Sequence, residues 1–117
     1  TDAVSAPASR IVDINAEAAE NSTVILVRAD GSIESRRVLT SHLSNPARIL
    51  VRISGIESPF RPFEIPVVTN ELNGIRIGHH METRPPSLWI VLDRADEDVE
   101  IRDTQSSGNV VRLEIGR

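Results

Sequence analysis

Arg76, His79, His80, Arg84 and the only tryptophan, Trp89, fall in one short stretch, and the acids Asp96, Glu97 and Asp98 follow soon after. Such a set invites metal ligation, nucleophilic catalysis or recognition of a polar ligand. Zinc needs three or four convergent ligands, whereas neighbours in a strand point to opposite faces, so His79 and His80 do not share one ion. The run DRADEDVE, beginning at Asp93, lacks the glycine that an EF-hand-type calcium loop carries at its sixth position. The serines sit in turn-like contexts without a Gly-x-Ser-x-Gly elbow, and the six glycines are dispersed rather than gathered into a phosphate-cradling loop. No catalytic residue, metal or cofactor is expected, and the three acids read as a solvated turn.

Recognition is the chemistry that remains. A planar guanidinium takes a carboxylate bidentately, so Arg76 and Arg84, with His79 and His80, are the expected polar contacts of a binding site. Arg76 should project from the wet face of IRIG, with the histidines and Arg84 in the loop after it. Trp89 lies in the apolar run LWIVL, a context that favours core packing, with a sugar-stacking platform as the alternative. Phe60 and Phe63, the only two phenylalanines, read either as a plug at one end of the core or as a docking patch for a protein partner.

The elements that position these residues are strands. Period-two alternation runs through RILVRIS, where Ile49, Val51 and Ile53 share one face, and through Val111, Leu113 and Ile115. Val24 to Val27 and Leu88 to Leu92 are apolar on both faces and read as central strands covered on both sides. Asp30-Gly31 predicts a type I′ hairpin joining residues 24 to 39. The proline-rich join SPFRPFEIPVV is unsuited to a central strand. A later segment, IVLDRADEDVEI, echoes ILVRADGSIES, with Arg-Ala-Asp shared at Arg28 to Asp30 and Arg94 to Asp96. The expected fold is all-β, a sandwich of two four-stranded sheets related by internal duplication, with halves at about 10–56 and 74–116.

Composition sets the outer limits. The 117 residues suit one domain over 10–117, preceded by a linker or disordered N-terminus at 1–9 that carries no signal-peptide pattern and reads as the start of either a fragment of a longer protein or a mature chain after processing. All thirteen basic residues are arginine, against seventeen acids, and the net charge of −4 argues against general nucleic-acid binding. Cysteine is absent, so no disulfide framework is available. LWIVL is the longest apolar run, far short of a bilayer span, so no membrane insertion is expected.

Three blocks, SNPARILVRISG from Ser44 to Gly55, IRIGHH from Ile75 to His80, and LWIVLD from Leu88 to Asp93, occur in an order and spacing that resemble the AMIN domain. That module stands at the N-termini of bacterial cell-wall amidases and type IV pilus secretins. The chain departs from the family at Arg52, where an acid is usual, and keeps one at Asp93. The resemblance implies a periplasmic, non-catalytic targeting domain that binds peptidoglycan and localises its parent protein. The alternative it implies is a protein-interaction module that docks a secretin or a division-site partner.

Overall fold

The alternating residues form nine strands in the computed structural model, which describes residues 6–117. They are β1 (Ile11–Ala19), β2 (Ser22–Ala29), β3 (Val38–Leu43), β4 (Arg48–Ser54), β5 (Glu64–Ile65), β6 (Leu72–His80), β7 (Ser87–Arg94), β8 (Glu100–Ser107) and β9 (Val110–Gly116). Among the described residues the one helical element is a 3-10 turn at Ser35–Arg37. All strand pairs are antiparallel, in a four-stranded sheet ordered β1-β2-β9-β8 and a five-stranded sheet ordered β3-β4-β7-β6-β5. Each sheet therefore combines a hairpin from either half of the chain. The inward residues of both sheets, such as Ile25, Val27 and Leu113 with Ile53, Ile90 and Leu92, belong to one buried apolar cluster, which makes the architecture sandwich-like.

The fifth strand departs from the expected count of four and four. Pro62 and Pro66 cannot donate to a ladder, but Glu64 and Ile65 between them can, and they pair with Arg76 and Ile75 at the open edge of β6. The strand stops at two residues because Pro66 follows.

The hairpin expected at Asp30-Gly31 does not form. After β2 the chain crosses to the other sheet, where residues 38–43 pair with β4 and not with β2. Asp30 is occupied elsewhere: its carboxylate accepts the backbone N–H groups of Ser9 at 2.9 Å and Arg10 at 3.0 Å, and the Ser9 hydroxyl at 3.1 Å. Of the nine residues read as a linker, 1–5 lie outside the described residues. Pro7 bridges to Ser32 in parallel, Ala8 is buried, and Ser9 is held by Asp30.

These contacts hold the Asp30 carboxyl below its usual value of 3.8, the Ser9 backbone N–H being the largest cause and that of Arg10 the next. A carboxyl depressed in the folded state contributes stability above its unfolded value, and the contribution is lost as pH falls through the folded one. Asp30→Asn should therefore lower the melting temperature at pH 7, and the gap from the parent should close as pH falls through the depressed value of this carboxyl. A gap that persists unchanged at low pH would mean that the carboxylate's charge is not what holds the segment.

Candidate functional site

β2 and β7 are interior strands of their sheets, as their apolar runs imply, but nothing among the described residues covers their outer faces. Trp89 and Val91 of β7 point away from the core and remain half-buried, while Leu88, Ile90 and Leu92 point into it. The expectation that LWIVL is covered on both sides, with Trp89 in the core, is thus corrected. The run is apolar on its outer face because that face builds a cleft. Strand register sets Leu39, Arg52, Trp89 and Gly78 in one row across the sheet, and Ser54, Ser87 and His80 in the next.

Gly78 offers no side chain beside the indole, and the diagonal neighbour His80 stacks on Trp89 with ring centroids 3.8 Å apart and planes 29° from parallel. On the other flank the Arg52 guanidinium carbon stands 5.9 Å from the ring centroid. The indole N–H donates to the Ser87 hydroxyl at 2.9 Å. Thr83 ties down the loop after β6, its hydroxyl oxygen lying 2.8 Å from the carbonyl of Pro85 and 3.0 Å from that of His80, which share its one proton. The orientation of Trp89 is therefore fixed before any ligand arrives.

The resulting cleft has a volume of about 210 Å³ and is walled by Leu39, Arg52, Arg84, Pro85, Ser87 and Trp89, among others. No acid lines it. Among the described residues, Arg52 and Arg84 make no ion pair and no side-chain hydrogen bond, and the buried Nε of Arg52 has no partner at all. Arg37, which also borders the cleft, is committed instead to the carbonyls of Ser54, Ser32 and Ala8.

The other residues singled out in the sequence lie apart. Arg76 does project from the outer face, but it grips Asp93 with two bonds of 2.8 and 3.2 Å. That hydrogen bond raises its guanidinium further above the usual value, with Glu64 adding to the effect. His79 faces the other way, and its Nε2 lies 2.7 Å from the carbonyl of Ile56. His80 Nδ1 meets Glu82 at 2.6 Å, and the Glu82 carboxyl lies below its usual value, held first by its own backbone N–H and next by His80. The two phenylalanines separate: Phe60 packs against the core, whereas Phe63 is 50% exposed with Arg61 5.1 Å from its ring.

Sequence reasoning missed Arg52 as a site residue. The signal available was its place on the wet face of RILVRIS, opposite the run that holds Trp89.

A larger recess of about 450 Å³, lined by Asn21, Asn70, Glu71 and Arg117, is more polar, but its charges are already matched. Arg117 pairs with Asp96 at 2.9 Å, which lowers the Asp96 carboxyl, and Thr23 donates to Glu71 at 2.7 Å. Among the described residues no three His, Asp or Glu side chains cluster to hold a metal, and no helix is long and apolar enough to cross a membrane. No protein-family model matches the chain, and no curated protein matches it.

Proposed function

We propose that this chain is an AMIN-like, non-catalytic targeting domain that binds peptidoglycan in the cell envelope and so localises a parent amidase or secretin. The observation that carries this reading is the acid-free cleft at Trp89, in which two arginines have unspent donors in a protein of net charge −4. Peptidoglycan presents carboxylates beside sugar hydroxyls, the groups that guanidinium and hydroxyl side chains bind. Ser87 and Thr83 stand at the same cleft.

Internal duplication, expected from the Arg-Ala-Asp echo, has further support in the topology. Exchanging β1–β4 for β6–β9 turns the order β1-β2-β9-β8 into β6-β7-β4-β3, which is the second sheet without its short edge strand. Both first hairpins carry a bulge at the same step, between Ile11 and Asp13 and between Leu72 and Gly74. The equivalence that follows pairs Ile14 with Ile75 and Ala29 with Arg94. The Arg-Ala-Asp echo is thus out of register by one residue.

Sedimentation with purified insoluble peptidoglycan tests the function. The parent protein should co-sediment, and less so as salt rises, because exposed charge contacts are screened over about 8 Å at physiological ionic strength. Combining Arg84→Ala with Trp89→Ala should weaken retention by about 100-fold, as expected when two central contacts are lost. Arg76→Ala should leave retention intact, since Asp93 already occupies that guanidinium. Trp89→Ala alone should cost about 1–2 kcal/mol of stability, less than the truncation of a fully buried aromatic. A parent protein that stays in the supernatant would overturn the reading and favour docking to a protein partner, for which the exposed Phe63 and Val68 offer an apolar contact.

A further inference from the structure

We infer that the cleft recognises the terminal carboxylate of a short peptide, with Arg52 and Arg84 as its cationic grip. The choice of peptidoglycan stem peptides as its source rests on the function proposed above. Three features of the cleft lead to a carboxylate. Arg52 lines the cleft and makes no ion pair or side-chain hydrogen bond among the described residues, and of its guanidinium nitrogens only Nε is buried, so its Nη groups face the opening as uncommitted donors. Arg84 stands at the same cleft without an ion pair among the described residues. No carboxylate of the protein lines the cleft to compete for either. A planar carboxylate fits the guanidinium fork with two parallel bonds, which a sugar hydroxyl cannot do.

The aromatic group also argues for peptide over glycan. Sugar rings bind by lying flat on an aromatic face, but His80 already covers Trp89 at 3.8 Å and the Arg52 guanidinium stands by the same ring at 5.9 Å. The indole is therefore a wall and not a platform. With Leu39, which is 54% exposed, and Pro85 it forms an apolar surface beside the two arginines. That surface suits a small apolar side chain one atom away from the carboxylate, as in a terminal alanine. The volume of about 210 Å³ admits a residue of that size and not a disaccharide.

Because Trp89 is the only tryptophan and tyrosine is absent, intrinsic fluorescence reports on this cleft alone. The probes are acetyl-D-alanyl-D-alanine, its C-terminal amide, and a chitin tetrasaccharide. The free acid should give a saturable change in emission, with the amide at least about tenfold weaker and the tetrasaccharide silent. Arg84→Gln and Arg52→Gln should each weaken the acid by about tenfold or more. Arg52→Lys should not restore it, because lysine keeps the charge but loses the fork. Equal binding of acid and amide, or no saturable change with the acid, overturns the inference.

Sacculus sedimentation separates this failure from failure of the proposed function. Retention on sacculi without peptide binding removes the carboxylate site and leaves peptidoglycan binding in place. Binding of the acid without retention does the reverse.

Discussion

Arg94→Ala should destabilise the protein by about 3–5 kcal/mol, because it removes a buried cation that three backbone carbonyls use as their donor. Arg94 is 7% exposed; its Nη1 donates to Val99 at 2.8 Å and Glu97 at 3.1 Å, and its Nη2 donates to Leu43 at 2.7 Å. Those carbonyls belong to the turn before β8 and to the end of β3, so one side chain staples the two sheets at this end. Glu97, 3.8 Å away and 60% exposed, adds little. For a domain of this size the melting temperature should fall by about 12 °C or more. Arg28, which heads the matching Arg-Ala-Asp tripeptide, is exposed, and its replacement by alanine should cost no more than about 0.5 kcal/mol. Urea unfolding of the two variants measures both values, and similar midpoints would refute the assigned role.

That contrast marks what a sequence of this kind discloses. The period-two pattern of Ile49, Val51 and Ile53, and of Val111, Leu113 and Ile115, discloses strands because burial on one face imposes it. All six side chains are fully buried in β4 and β9. The apolar runs of β2 and β7 do lie on interior strands, but not for the reason read, since their outer faces are left uncovered among the described residues. Arg94 was not legible, since identical tripeptides read alike whatever lies around them. Arg28 shares the outer face of β2 with Val24 and Leu26 and meets solvent, whereas Arg94 shares the inner face of β7 with Ile90 and Leu92 and enters a ring of carbonyls.

The candidate site was legible in composition and not in grouping. His80, Arg84 and Trp89 do meet, but Arg76 and His79 leave the group, because one is spent on Asp93 and the other faces Ile56. Arg52 joins from a strand nearly forty residues earlier, through the antiparallel pairing of β4 with β7. Pairing between distant strands is a property of the tertiary fold, and no local window contains it. Trp89 was drawn toward the core by its apolar neighbours, yet a strand side chain takes its face from parity alone, and its parity with Val91 and Asp93 is outward.

Gly31 is where the local and the tertiary readings demand opposite outcomes. If Asp30-Gly31 formed a type I′ turn, the glycine would serve a positive φ, and Gly31→Asn would be tolerated because asparagine adopts that conformation readily. Gly31 does not have a left-handed φ, and it is needed for close approach. A Cβ there would sit 2.3 Å from the carbonyl oxygen of Ala6 and 2.9 Å from the backbone nitrogen of Ala8. These are backbone atoms and cannot rotate aside, so the whole segment from Ala6 to Ser9 must lift.

Lifting breaks the paired bonds of 2.9 Å from Ala8 to Ser32 and from Ser32 to Ala6, strips Asp30 of its partners and uncovers Ala8. It also removes the acceptor that Ala8 offers to Arg37, at the border of the Trp89 cleft. Gly31→Ala and Gly31→Asn should therefore both cost about 3 kcal/mol, the upper range for overpacking a closed site. Both should open residues 6–9 to limited proteolysis while the rest of the domain stays resistant. Tolerance of asparagine with loss only for alanine would restore the turn reading, and an unaltered cleavage pattern in both would show that the segment does not depend on this glycine.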